Sequence, residues 1–335
     1  MTPLEESLSR DWWHLVAHRS ELSEPKAFVR LKWPLGDLVA FNDEGEIIAF
    51  DNQCPHRGTR LFIDDAGCQP ALCPYHGWSY RSGQVRIPLR ETIPAAEADG
   101  ARLNRYQTAW CGDFLFVGVS PKQTLADQLA DLAGPLEAIS RDIQDRRDFN
   151  AFEFEADWRV AVENALEGYH VNMIHPGTLA PLALRNHLDD YSGANSVYRA
   201  EIGEARTVKA LERLGKYFQT EAAWPGYTSL FVFPFGMISS TFGYSYALQN
   251  FFPSGRPHLT HFSSRLLAAR TAPGAEPLTG PFLASAAEVN RKVFEEDHAI
   301  CRRVSPHYDA ARPDRIFARS EDRARHFWKT LRDLA

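Results

Sequence analysis

Two groups of residues in this 335-residue sequence have the types and spacing to hold metal. The first reads Cys54-Pro-His56-Arg-Gly58, then Cys73-Pro-Tyr-His76-Gly77-Trp78. Each half offers one thiolate and one imidazole from a short loop bounded by Pro and Gly. A structural zinc site is one use of two Cys and two His, but zinc pairs usually come as two Cys followed by two His. Mixed pairs suit a two-iron two-sulfur cluster in which one iron takes both thiolates and the other both imidazoles. Neutral imidazoles in place of thiolates raise the reduction potential of such a cluster. Cys68 lies between the pairs but fits neither position, and with Cys111 and Cys301 it is expected to serve packing.

The second group begins at Glu163-Asn164-Ala-Leu-Glu167-Gly-Tyr-His170 and ends at His175-Pro176. A helix starting near Trp158, with Asp157 as its N-cap, places Glu163, Glu167 and His170 on one face. Pro176 then lets the chain bend His175 back toward His170. Val160, Ala161, Leu166 and Tyr169 predict that this helix is buried. A second, long helix is expected from about Pro281 to about Val304, with an apolar stripe of Val289, Val293, Ile300 and Val304 widened by Phe294 and Cys301. Asp297 falls inside that stripe, and a carboxylate buried alone costs several kcal/mol or more, so it must be paired, neutralised or metal-bound. Two imidazoles and one carboxylate form the facial triad of non-haem iron(II), with Glu296 as the alternative ligand one residue away.

The row Cys-Pro-His-Arg-Gly … Cys-Pro-Tyr-His-Gly-Trp resembles the Rieske motif. In the respiratory branch of that family each loop carries a further cysteine, and the two form a disulfide; here those positions are Thr59 and Tyr75. The chain therefore resembles the lower-potential centres of oxygenases. The row Glu-Asn-x-x-Glu-x-Tyr-His-x-x-x-x-His, with the later Glu296-Asp297-His298, is similar to the catalytic domain of Rieske non-haem iron oxygenases, and the shorter, alpha-only members are the nearest pattern. The resemblance implies an α+β fold: a small Rieske-type β domain over 12–119, with 1–11 as an extension packing on it, and a helix-grip (START-like) antiparallel-sheet domain over 120–335. It implies a [2Fe-2S] cluster on Cys54, His56, Cys73 and His76, and Fe(II) on His170, His175 and Asp297. It also implies that Glu167 links His170 of one subunit to His76 of the next, within a homotrimer, and makes Asn164 a second catalytic candidate beside it. Most members have Asp at that position; Glu resembles the branch acting on quaternary ammonium compounds such as carnitine or betaine.

The elements that must position these residues are legible in outline. Trp12 to Val119 reads as short strands and turns, with a hairpin across Asn42-Asp-Glu-Gly45. Leu125, Leu129, Leu132 and Leu136 recur at helical spacing, a strand is expected at Phe149–Glu155, and Thr228–Arg270 reads as antiparallel strands. Phe231, Phe233, Phe242, Tyr244 and Phe251 are the candidate lining of a substrate pocket, suited to an aromatic ring or to a methylated ammonium held by cation–π contact.

Composition narrows the partners. A net charge of −6 gives no global basic field for nucleic acid. No apolar run approaches the ~20 residues of a membrane span. Glu5 and Glu6 interrupt any secretory leader, so a cytoplasmic location is expected. There is no dinucleotide or P-loop fingerprint, so electrons must come from an external reductase or ferredoxin, for which Arg57, Arg60, Arg81 and Arg86 are docking candidates. The expected activity is dioxygen-dependent hydroxylation or oxidative demethylation of a small organic substrate. The alternative is an electron-transfer or redox-sensing Rieske protein without oxygenase activity, which leaves most of the second domain without a role.

Overall fold

The computed structural model describes residues 1–308, 312 and 314–335. The amino-terminal unit is built on a seven-stranded antiparallel sheet in the order His14–His18, Phe114–Gly118, Arg105–Cys111, Glu46–Asp51, Gly36–Asp43, Ala27–Trp33, Ala66–Cys68. The hairpin expected around Asn42–Gly45 is present, with Asp43 opposite Glu46. Its two linking residues, Glu44 and Gly45, both take positive φ, the geometry that matches the twist of a tight hairpin. A three-stranded sheet, Ala71–Leu72, Ser79–Arg81 and Gln84–Arg86, stands beside it and carries the second Cys-His loop at its edge.

The second unit is a seven-stranded antiparallel sheet in the order Ile143–Phe154, Thr260–Ala269, Ser245–Pro253, Gly236–Thr241, Tyr227–Val232, Asn195–Glu201, Arg185–Ser192. The long helix Glu276–Cys301 lies on the first three of these strands, giving the expected α+β sheet-and-helix grip. It begins five residues earlier than the sequence suggests, with Pro281 accommodated in its second turn, and stops before Val304. Helix Trp158–Leu166, N-capped by Asp157 whose carboxylate accepts from Arg159 N, packs between this long helix and the C-terminal helix Asp322–Leu334.

The two units share one apolar core, in which Val16, Leu31 and Trp33 meet Phe154, Trp158, Phe233 and Phe294. Polar ties cross the same boundary. Asn250 Nδ2 donates to Leu15 O at 2.8 Å, and the fully buried Arg265 donates through Nη1 to Val16 O and pairs with Glu21 at 3.4 Å. A buried guanidinium with that many acceptors fixes the relative setting of the units, because losing one partner would strand a charge in low dielectric. Residues 3–10 form a helix with a Thr2–Glu5 capping box, and Trp158 Nε1 donates to Glu5, so this extension rests on the helix that begins the second site. Among the described residues no helix is long and apolar enough to cross a membrane.

Candidate metal centres

The two Cys-His loops adopt one shared turn. Gly58 N donates to Cys54 O at 2.8 Å, and Gly77 N to Cys73 O at 3.0 Å. Both glycines have φ near the left-handed region, +70° and +74°, which explains why each loop carries Gly at that step. Closing each loop, Cys54 N donates to Thr59 O and Cys73 N to Trp78 O. The thiols point inward and are buried, whereas His56 and His76 are exposed. The imidazoles face one another, with centroids 4.7 Å apart. His56 stacks on Trp78 at 4.9 Å and His76 on Tyr75 at 4.1 Å, so neighbouring rings set the imidazole planes. Tyr80 Oη donates to Cys54 Sγ at 3.5 Å. Burial in this apolar setting, with Cys54 beside it, pushes the Tyr80 phenol far above its usual range, so it stays a donor. Cys68, by contrast, is exposed, with Sγ donating to Pro25 O, because it sits on the edge strand Ala66–Cys68 rather than in the core.

The second group converges more tightly. His175 Nε2 lies 3.0 Å from Asp297 Oδ1 and 3.2 Å from His170 Nε2, and His170 Nε2 lies 3.5 Å from the same carboxylate oxygen. The other nitrogens are spoken for: His170 Nδ1 is 2.5 Å from Glu167 Oε1, and His175 Nδ1 is 2.8 Å from Glu296 Oε2. With each Nδ1–H donated to a carboxylate, both Nε2 atoms present lone pairs, which meet the carboxylate of Asp297. Three acceptors facing one point repel unless a cation or protons sit among them, so the donor set fits a divalent metal. In the metal-free protein protons take that role. Burial lowers the His170 pKa, but Asp297 and Glu167 outweigh it and hold it at about 9. Burial likewise raises the Asp297 carboxyl, but His170 and His175 hold it below its usual value.

The backbone delivers these atoms differently from the sequence expectation. The helix ends at Leu166; Glu167 is extended, Gly168 follows, and a short second helix covers Val171–Ile174. Glu167 therefore meets His170 not along a helix face but by folding its carboxylate over the new turn, where Tyr169 N and His170 N both donate to Oε2. Tyr169, expected to be buried, is 71% exposed, and Met173 beside it is 82% exposed. Asn164 Nδ2 donates to Asp297 Oδ1 at 2.7 Å, which fixes the carboxylate orientation. Glu296 reaches His175 Nδ1 and accepts from Thr178 Oγ1 at 2.7 Å, while Asp297 takes the converging position. Val289 and Val293 do not face the core but line the cavity at the triad.

That cavity has a volume of about 380 Å³. The five aromatic residues expected to line it lie elsewhere. Phe231, Phe233 and Phe251 belong to the core shared by the two units, and Phe242 and Tyr244 to a second core under the sheet. Small and polar residues face the cavity instead: Ser229, Ser239, Thr241, Ser245 and Gln249, on alternate positions of neighbouring strands. A cavity exists where the sheet carries short side chains, and the bulky rings fill the space beyond. Tyr198, Tyr227 and Arg323 also line it, and none of these was singled out from the sequence. Arg323 sits on the buried stripe of the C-terminal helix with Ala324, Phe327, Trp328 and Leu331, so a charge at an apolar stripe position was the available signal.

The model of the ring hydroxylating alpha subunit (catalytic domain) matches residues 136–335, and that of the Rieske [2Fe-2S] domain matches residues 12–97. The chain belongs to the ring-hydroxylating alpha subunits. As a ring-hydroxylating alpha subunit it joins an iron–sulfur domain to a catalytic domain of the mononuclear iron type. It is 28% identical over 180 residues to the carnitine monooxygenase oxygenase subunit of Acinetobacter pittii, covering 52% of this chain and 48% of that one. It is 31% identical over 220 residues to the glycine betaine monooxygenase oxygenase subunit of Chromohalobacter salexigens, covering 61% of this chain and 48% of that one. The matched region thus spans about half the length of these curated relatives. The fold is that of the quaternary ammonium Rieske monooxygenase CntA in complex with L-carnitine, with a TM-score of 0.76 at 18% identity over 98% of this chain and 90% of that one. Naphthalene 1,2-dioxygenase with indole bound gives a TM-score of 0.73 at 18% identity, over 99% and 89% of the two chains.

Proposed function

We propose that the chain is the oxygenase component of a Rieske system, with residues 12–119 as the electron-storing unit and 120–335 as the oxidising unit. Cys54, His56, Cys73 and His76 hold the [2Fe-2S] cluster, and His170, His175 and Asp297 hold iron(II). The observation that carries this reading is the convergence of three lone-pair donors whose outer nitrogens are already bound to Glu167 and Glu296. Iron(II) held there supplies dioxygen activation beside a bound substrate. The chain's own residues do the rest. Asn164 keeps Asp297 oriented, Glu296 and Thr178 keep the His175 ring in one tautomer, and Glu167 does the same for His170.

The exposed His76, with Tyr75 at 59% exposure, and the exposed Tyr169 and Met173 next to Glu167 support docking of one subunit's Rieske loops onto the next subunit's second site. In that arrangement, a homotrimer, Glu167 joins His76 of a neighbour to His170. An external reductase or ferredoxin supplies the electrons. Of the four arginines considered for its docking, Arg60 is paired with Asp37 and Arg81 with Glu44, which leaves Arg57 and Arg86 as the better candidates. Five cysteines in no disulfide favour the cytoplasm. The carnitine and glycine betaine relatives favour a methylated ammonium over an aromatic ring as substrate, and hydroxylation of its N-methyl carbon as the route to demethylation.

Replacing Asp297 with Ala tests this reading. The Rieske visible spectrum is expected to remain while substrate-dependent oxygen uptake falls to background; full uptake in the variant overturns it.

A further inference from the structure

Arg323 is placed where a charge is costly. It is 3% exposed, and it lies in the first turn of its helix, where the backbone dipole already presents positive charge. Its contacts do not repay that cost. Nε donates to Ser196 Oγ at 3.0 Å, Nη2 is buried without an acceptor, and no ion pair to Arg323 exists among the described residues. Asp189 is the acidic group whose field it feels most, yet Asp189 Oδ1 is itself buried without a donor. The guanidinium lies over the Tyr198 ring, with Cζ 5.9 Å from its centroid. Burial brings its pKa down to about 10, so it remains charged at neutral pH.

Arg323 lines the same cavity as His170, His175 and Asp297, and no hydrogen bond or ion pair joins it to them among the described residues. Tyr227, on the same wall, feels the field of both Arg323 and Asp297. The cavity lining therefore includes both a residue whose guanidinium is short of acceptors and the metal-type site of His170, His175 and Asp297. The lining also includes the neutral hydroxyls of Ser229, Ser239 and Thr241. A planar donor fork in low dielectric is the group best suited to a carboxylate, and it repels a cation that brings no anion of its own.

We propose that Arg323 is the anchor for a carboxylate on the substrate. The cavity then takes small organic acids or zwitterions, bound with the carboxylate at Arg323 and the carbon to be oxidised toward His170, His175 and Asp297. This rests on the reading of that triad as the oxidising centre. It narrows the substrate class: an ammonium compound without a carboxylate is excluded, and the anionic end of the ligand is held away from the site of oxidation.

Calorimetric titration of the full-length protein tests it with matched probes that differ only at the anionic group: glycine betaine against choline, and benzoate against benzamide. In at least one pair the carboxylate is expected to bind at least tenfold more tightly, about 1.4 kcal/mol. Arg323→Gln is expected to abolish that preference while changing the neutral partner's affinity less than twofold, and Arg323→Lys to keep part of it. No preference in either pair with the unaltered protein overturns the inference, as does a preference that survives in Arg323→Gln. Should Arg323→Gln fail to fold by circular dichroism, the ratio in the unaltered protein decides alone. Oxygen uptake is not the readout, so the two readings fail separately. A carboxylate preference in a chain that holds no iron removes the oxygenase reading alone. Full iron and oxygen uptake without the preference removes this inference alone.

Discussion

The two candidate centres are built on opposite plans. The Cys-His loops are local: each ligand pair is held by a turn of its own backbone, with Gly58 or Gly77 closing it, and the imidazole ends stand at the surface. The second site is assembled across the chain. His175 and Asp297 are 122 residues apart in sequence, both buried, and each histidine is steadied by a carboxylate from outside the triad. An electron-storing centre must be reached by partners and gains from exposed ligands. A centre that handles dioxygen beside a substrate gains from enclosure, and its ligands then need further groups to hold their protons in place.

The largest effect expected on this contrast is at Glu167, the proposed bridge between the centres. Glu167→Gln is expected to lower turnover about 100-fold even with iron(II) in excess, because it loses the charged contact with His170 and the proposed link to a neighbour's His76; cluster reoxidation by oxygen, followed optically in the iron-replete protein, reads this directly. Near-normal reoxidation would mean that the centres communicate by another path. Glu296→Gln touches only the enclosed site. It is expected to weaken iron retention there about 10–100-fold, with activity restored by excess iron(II), while the Rieske spectrum is unchanged.

A third expectation concerns protons in the metal-free second site. The folded-state pKa of His170, about 9, lies above its ordinary 6.5. The folded protein thus holds a proton that the unfolded chain has lost, and stability falls as pH rises across that window. The contribution is complete below about pH 6.5, gone above about pH 9, and at most about 3 kcal/mol. Iron-loaded protein, with His170 already neutral, is expected to show a flatter profile. Thermal melts of the two forms from pH 6.5 to 9 compare them, and parallel curves would count against metal at His170.

The smallest effect is at the exposed-ligand centre. Tyr80→Phe removes the hydroxyl that donates to Cys54 Sγ. The reduced cluster carries more negative charge and loses more from that change, so the midpoint potential is expected to fall by about 50 mV, roughly one hydrogen bond's worth for a one-electron couple. An unchanged or raised potential would separate Tyr80 from the cluster.

The same difference in plan explains what could be read from the sequence. The Cys-His loops are contiguous, so their ligands, turns and glycines appear together in the chain. The triad residues could be named because His170 and His175 are near neighbours and Asp297 lies among apolar helix positions. Their geometry could not be read, since the break at Glu167-Gly168 is imposed by packing and by the Glu167 carboxylate folding onto Tyr169 N and His170 N. The cavity lining is hidden in the sequence for a simpler reason. Aromatic residues draw attention in a strand, but Phe231 and Phe251 fill space, and a cavity opens where the alternating face carries Ser229, Ser239 and Ala247. Arg323 does not stand out in the sequence because arginine on an amphipathic helix is ordinarily solvated, and only its phase against Phe327 and Leu331 marks it as buried.

The central claim is that one chain holds two distinct iron centres. It is tested most directly by counting iron and acid-labile sulfide in the purified protein and in Asp297→Ala. About three irons and two sulfides per chain are expected in the first, and about two of each in the variant. Zinc in place of iron, an absence of sulfide, or an iron count unchanged by the substitution would contradict the account.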